Sequence, residues 1–275
     1  MHLLVTGLSG TLGPRLAQQA RASGCRVSGW DRRIVPADDS AAARDELLCL
    51  RPDAIAHLAI ASTAWTALLA RHASERAIPL LFTSTAMVFD HDPDGPHDVA
   101  APRNARDDYG CGKIACEDVV RAEHPQATIA RLGWQIDETA SGNNMVAELD
   151  RWQARDGRVN ASALWTPACS FMADTCASLL ALILRGQGGT VHLDSNAVEA
   201  WTFDKIVSAL KRRCDRDWVV EVDRTAAAYA HDQRLAGGAV TLPRLSTRLP
   251  ELVAQAITLP GDRRACRRQV SERRR

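Results

Sequence analysis

Gly7, Gly10 and Gly13 stand in the run Val-Thr-Gly-Leu-Ser-Gly-Thr-Leu-Gly, directly after an apolar stretch and directly before a helical pattern. This feature restricts the chain more than any other. Small residues at a strand-to-helix turn let the backbone approach a bulky anion, and the positive end of the helix then faces that anion. The spacing predicts a pyrophosphate cradle made by Gly7, Ser9, Gly10, Thr11, Leu12 and Gly13. A plain strand-helix turn is the alternative reading of the same residues.

The pattern beyond the turn supports the cradle. Short apolar runs at 2–6, 26–30, 54–58, 79–83 and 127–132 alternate with helical stretches at 12–23, 41–50, 64–76 and 109–123. Strands alternating with helices predict parallel βαβ units and a Rossmann-type, doubly wound α/β sheet. After Gly133 the order loosens: helices at 144–155, 174–184 and 202–213, and strands at 190–193 and 218–222. These fit a smaller C-terminal α/β lobe. The reading is a dinucleotide-binding core over 1–133, a mainly substrate-binding lobe over 134–260 from which the chain can cross back, and a basic tail over 261–275. The Asp-, Pro- and His-rich stretch 90–107 reads as a long loop, a type that is often functional.

Charge narrows the partners. Lys and Arg total 34 against 33 Asp and Glu, so neither nucleic acid nor an anionic membrane is expected. The tail carries seven arginines between Arg263 and Arg275, which read either as a solvated end or as an anion-binding arm. No apolar run is long enough to span a bilayer, and the N-terminus lacks the plan of a signal peptide. The eight cysteines form no Cys-x-x-Cys pair, and no histidines join them at metal-ligand spacing. Reduced thiols, a cytoplasmic protein and no bound metal are the expectation.

Asp31 ends the second apolar run, 18 residues beyond Gly13. That is close to the ~20-residue offset of a carboxylate that reads an adenosine ribose. Asp31 favours NAD, whereas Arg32 and Arg33 favour the extra phosphate of NADP, so the cofactor reads as NAD or NADP. Further on, Tyr109-Gly-Cys-Gly-Lys113 places a phenol and an ammonium on one helix face. The spacing predicts that Lys113 lowers the pKa of Tyr109, fitting it to exchange a proton with a carbonyl or alcohol oxygen. Thr83-Ser84-Thr85 ends a strand at the ligand-binding edge of such a sheet, where Ser84 or Thr85 can hydrogen-bond that oxygen. Trp134, just past a core strand, either stacks on a ligand or plugs the core.

TGLSGTLG, PDAIAHLA (52–59), STAMVFD (84–90) and YGCGK together resemble the extended short-chain dehydrogenases/reductases, the NAD-dependent epimerase/dehydratase superfamily. Within them they resemble most the dTDP-4-dehydrorhamnose reductase group. The resemblance covers roughly residues 1–260. It implies Thr85, Tyr109 and Lys113 as the catalytic set, with Tyr109 and Lys113 also touching the cofactor and Leu58 and Ala59 beside it. It places Trp134 and Asn144, with Ser84 and Thr85, on the substrate side, and implies a nucleotide sugar as the small-molecule substrate and a homodimer as the assembly. Three departures stand out. Ala86 and Met87 replace a polar Asp-Tyr pair, the stretch 59–83 is short and holds no Asn, and Arg106-Asp107-Asp108 lengthens the loop before Tyr109.

Three functions fit this reading: a nucleotide-sugar reductase or dehydrogenase, an epimerase that retains its cofactor, and a non-catalytic NADP-binding regulator. Ala86-Met87 after Thr85 argues against a dehydratase, and the intact Thr85, Tyr109 and Lys113 argue against a purely structural role.

Overall fold

The computed structural model describes residues 1–139 and 142–257. The basic tail expected over 261–275 lies outside the described residues. The chain runs β1 (His2–Thr6), α1 (Gly13–Ala22), β2 (Arg26–Gly29), α2 (Ser40–Leu50), β3 (Ala54–His57), α3 (Thr63–Glu75) and β4 (Leu80–Thr85). A single 3-10 turn, Ala86–Phe89, precedes α4 (Asp108–Glu123) and β5 (Thr128–Leu132). Then come β6 (Trp134–Ile136), α5 (Met145–Asp156), β7 (Val159–Ser162), β8 (Trp165–Thr166), β9 (Cys169–Phe171), α6 (Met172–Arg185) and β10 (Gly189–Leu193). The last elements are α7 (Phe203–Arg213), β11 (Val220–Asp223), β12 (His231–Asp232), α8 (Leu245–Arg248) and α9 (Glu251–Ile257).

Six strands form a parallel sheet in the order β10-β5-β4-β3-β1-β2. Strands β1, β3, β4 and β5 are buried on both faces, which is why each reads as a continuous apolar run rather than an alternating one. One face packs Leu3, Val5 and Leu132 against Leu16 and Ala20 of α1 and Leu179 and Ile183 of α6. The other packs Leu4, Ile55 and Phe82 against Leu47 of α2, Trp65 and Leu69 of α3 and Val120 of α4. Burial on both faces makes the sheet doubly wound. Among the described residues no strand lies beyond β2, so the sheet lacks the outermost strand of the 3-2-1-4-5-6 arrangement. The order reverses between β1 and β3, and ligands of such sheets bind at that crevice, beyond the carboxyl ends of the strands.

Local chemistry places the helix ends. Asp39 accepts from the Ala41 and Ala42 amides to start α2, Ser62 accepts from the Trp65 amide to start α3, and Gly157 closes α5 in the left-handed conformation.

Past Gly133 a second core forms around Leu149, Val159, Phe203, Ile206 and Trp218. Its short parallel pairs are β6 with β9, β7 with β11 and β8 with β12. Strand β10 returns to the main sheet beside β5, with Leu193 opposite Leu132. The long loop after the 3-10 turn is pinned to the lobe by bridges from Asp94 to Asp232 and from His97 to Leu235.

Candidate active site

The glycine-rich turn is built as a cradle. Gly7 has a φ of +75°, and the Gly10 amide donates to its carbonyl at 2.9 Å. A Cβ on Gly13 would stand 2.2 Å from that same carbonyl oxygen, so only glycine lets α1 begin this close to β1. No side chain caps α1, and Pro14 occupies its first turn. Its leading amides are thus left for an anion, as a pyrophosphate site requires. A cavity of about 670 Å³ opens here, lined by Ser9, Gly10, Thr11 and Arg15 on one side and by Asp137, Thr139 and Gly142 on the other. Arg15 pairs with Asp137 at 2.6 Å, and Thr11 Oγ1 accepts from the Asn143 amide at 3.2 Å. These residues fit a dinucleotide.

The far end of the crevice holds Asp31, Arg32 and Arg33. Arg33 grips Asp31 with two side-chain bonds, Nε to Oδ1 at 3.0 Å and Nη2 to Oδ2 at 2.7 Å, and donates its amide to Oδ1 at 2.9 Å. Those bonds hold the Asp31 carboxyl down at about 2. Arg32 is exposed beside the pair. Ala59, buried, donates its amide to Thr6 Oγ1 at 3.3 Å and backs onto Gly7, while Leu58 is half-buried next to it.

Thr85 ends β4 and takes the Met87 amide at 3.2 Å, which starts the 3-10 turn. Asp107 caps α4 through the Gly110 amide, so Tyr109 stands in the first helical turn, near enough to Thr85 for that hydroxyl to act on the phenol. Tyr109 and Thr85 are thus brought together. Lys113 is not aimed at the phenol. Its Nζ donates to the Thr83 carbonyl at 2.9 Å and lies 4.8 Å over the Phe82 ring. The expected lowering of the Tyr109 pKa is therefore reversed. Burial raises it, the Thr85 hydrogen bond offsets part of that, Asp107 adds to it, and Lys113 does not enter. Burial also lowers the pKa of Lys113, while Cys116 and Glu117 hold it up.

The remaining candidates lie apart from this pair. Ser84 points to the opposite side of β4, beside Glu117. Trp134 is half-buried in an aromatic cluster, its ring 6.1 Å from Trp165 and 6.0 Å from Phe203. Asn144 is wholly buried and caps α5 through the Ala147 amide at 3.0 Å. The structure thus gives Asn144 a structural hydrogen bond where a substrate contact was expected.

The RmlD substrate binding domain family matches residues 1–213. The chain belongs to that family. Among curated relatives, dTDP-4-dehydrorhamnose reductase of Mycobacterium tuberculosis strain H37Rv is 31% identical over 213 residues, covering 69% of this chain and 68% of its own. The Streptomyces griseus enzyme of the same name is 30% identical over 227 residues, covering 72% of each chain. Among solved structures, dTDP-4-dehydrorhamnose reductase of Bacillus anthracis in complex with NADP has a TM-score of 0.77 at 18% identity, covering 92% of this chain and 99% of that one. The Bordetella bronchiseptica enzyme WbmG in complex with NAD and UDP has a TM-score of 0.71 at 16% identity, covering 92% and 95%. At these identities the two structures speak for the fold.

Two buried groups of this RmlD-family chain escaped the sequence reading. His57, fully buried, links Thr6 Oγ1 at 2.7 Å to Thr66 Oγ1 at 3.2 Å, tying β1, β3 and α3 together under the crevice. Burial, aided by the Lys113 charge, pushes its pKa down to about 3. Glu117, one turn beyond Lys113, accepts two bonds of 2.9 Å from Arg131 of β5. Burial alone would neutralise this carboxyl, but Arg131, Ser84 and Arg121 outweigh it and lower its pKa. The only sequence signal for the pair was an Arg inside an apolar strand.

Proposed function

We infer that this chain is an NAD(P)-dependent oxidoreductase that interconverts a carbonyl and an alcohol on a nucleotide-linked sugar. One observation carries the reading: Thr85 at the carboxyl end of β4 and Tyr109 in the first turn of α4 stand close enough for Thr85 to act on the phenol, in a chain of the RmlD family whose β1–α1 turn fits a dinucleotide. Its curated relatives are dTDP-4-dehydrorhamnose reductases, and we take a nucleotide-linked keto sugar as the substrate class.

We assign Gly7, Ser9, Gly10, Thr11, Leu12 and Gly13 to the cofactor pyrophosphate, Asp31 and Arg32 to its adenosine ribose, and Leu58, Ala59, Tyr109 and Lys113 to its path along the crevice. Residues 1–133 then carry the cofactor and the lobe beyond them carries most of the substrate. A bound nicotinamide supplies hydride for reduction and takes it up in oxidation. Thr85 orients the carbonyl oxygen, and Tyr109 gives it a proton. The phenol is protonated at neutral pH, as the acid role in reduction requires, and the positive charge of Lys113 and a bound nicotinamide would oppose the rise in its pKa that burial causes. Lys113 draws negative charge toward the crevice from beneath Thr83.

The test is a fluorescence titration with NADH and NADPH, followed by turnover of a nucleotide-linked 4-keto sugar by the native chain and Tyr109→Phe. Cofactor binding with turnover lost in Tyr109→Phe supports the reading. A chain that binds neither cofactor contradicts it.

A further inference from the structure

Arg15 and Asp137 are the charged residues among the described ones that line the pyrophosphate cavity, and they pair across it. Arg15 stands in the first turn of α1, beside the uncapped amides, and Asp137 directly follows β6. No acidic residue shares that first turn. A guanidinium at the positive end of a helix is unfavourable unless an anion answers it. Asp137 Oδ2 answers it with one negative charge at 2.6 Å.

The two partners are held differently. Thr139 donates its amide and its hydroxyl to Asp137 Oδ1, both at 2.9 Å, so the carboxylate is fixed at the cavity without help from Arg15. The Asp137 side chain is 4% exposed. Arg15 is long, 31% exposed, and tied otherwise by one weaker bond from Nη2 to Thr139 Oγ1 at 3.3 Å. A movable cation thus stands between a fixed carboxylate and the bare amides at which a pyrophosphate, with two negative charges, would lie. Arg15 cannot give both anions its full charge. Phosphate binding draws it from Asp137 and leaves that carboxylate facing a second anion, which weakens the complex; release restores the pair.

We propose that Asp137 is an internal competitor for Arg15: Arg15 binds the cofactor pyrophosphate, Asp137 reclaims it, and the dinucleotide is thereby kept exchangeable. The proposal rests on the oxidoreductase reading above and adds how the cofactor leaves. Reduction passes a hydride from the nicotinamide to the carbonyl carbon and a proton from Tyr109 to its oxygen, so the oxidised cofactor must be replaced before the next turnover. An enzyme that retains its cofactor has no such need.

The test is stopped-flow release of bound NADH and NADPH into an excess of the oxidised cofactor, followed by nicotinamide fluorescence. Asp137→Asn keeps the bonds from Thr139 and is expected to slow release by about tenfold, whereas Arg15→Gln is expected to speed it by about tenfold, the size of one charge-assisted hydrogen bond. A pair that served only to tie α1 to the lobe would respond with the same sign to both substitutions, since either one loosens the site; faster release from both variants would overturn the proposal. So would a native rate in either variant, or a native complex that fails to exchange its cofactor at all. A native chain that binds neither cofactor would instead remove the oxidoreductase reading beneath it.

Discussion

Lys113 donates to the Thr83 carbonyl rather than to the phenol oxygen of Tyr109, although the two residues share a helix face. Under the proposed function the proton chemistry falls to Tyr109, and Lys113 is proposed to act on the crevice through its charge. Tyr109→Phe is expected to cut turnover by roughly a hundred- to ten-thousand-fold, far more than it weakens NADPH binding. Lys113→Met is expected to weaken cofactor binding as well. Parallel fluorescence titrations and steady-state rates separate the two effects.

Glu117 and Arg131 are 0% and 1% exposed and hold each other through two bonds of 2.9 Å. Removing Glu117 strands the Arg131 charge in the core, whereas Glu117 also pairs with Arg121 at 3.1 Å and Arg103 at 3.3 Å. Glu117→Leu is expected to destabilise the fold by about 3–5 kcal/mol, and a double change to Glu117→Leu with Arg131→Met to recover part of that loss. Urea denaturation measures both.

The Asp31–Arg33 pair sets a prediction for cofactor choice. Both carboxylate oxygens are engaged by Arg33, so a ribose must compete for them. Arg33→Ala frees Asp31 and is expected to shift the ratio of NADH to NADPH affinity toward NADH by about tenfold, the size of one charge-assisted hydrogen bond. An unchanged ratio would place the adenosine ribose away from Asp31.

Gly13→Ala is expected to abolish dinucleotide binding and to cost about 1–3 kcal/mol of stability, because the added Cβ meets the Gly7 carbonyl at 2.2 Å. Gly112→Ala, in the middle of α4 with open space around it, is the control and is expected to bind cofactor normally.

His57 makes stability pH-dependent. Its folded pKa, about 3, lies below its ordinary value of 6.5, so the unfolded chain takes up the proton first. The stability it lends is present above about pH 6.5 and is lost as pH falls toward 3. Buried His192, held down at about 4, works in the same direction. Asp194, raised by burial to about 7, works oppositely, since its folded form binds the proton more tightly. The melting temperature of His57→Gln is expected to be lower than native at neutral pH and to fall less steeply on acidification. Parallel slopes would remove His57 from the account.

The sheet was legible because buried parallel strands are continuous apolar runs, such as Leu3-Leu4-Val5 and Leu80-Leu81-Phe82. The cradle was legible because Gly7, Gly10 and Gly13 answer a steric demand at fixed spacing. Beyond Gly133, α5, α6, α7, β10 and β11 were legible by the same periods, whereas β6, β8, β9 and β12 were not, since they have two or three residues each and pair with partners distant in sequence. Spacing placed Tyr109 and Lys113 on one face but says nothing about where an ammonium turns, so the sign of the Tyr109 shift was missed. His57 looked like any strand residue, and nothing in the spacing showed that Asn144 caps α5.

Leu132 and Leu193 are register partners at the ends of β5 and β10, and the chain leaves for the lobe after each of them. Two covalent tethers thus depart side by side, about one strand spacing, roughly 4.8 Å, apart. Between them the chain also passes from β9 into α6 of the core. With the bridges from Asp94 to Asp232 and from His97 to Leu235, the lobe is joined to the sheet at more than one place, a bracing rather than a single stalk.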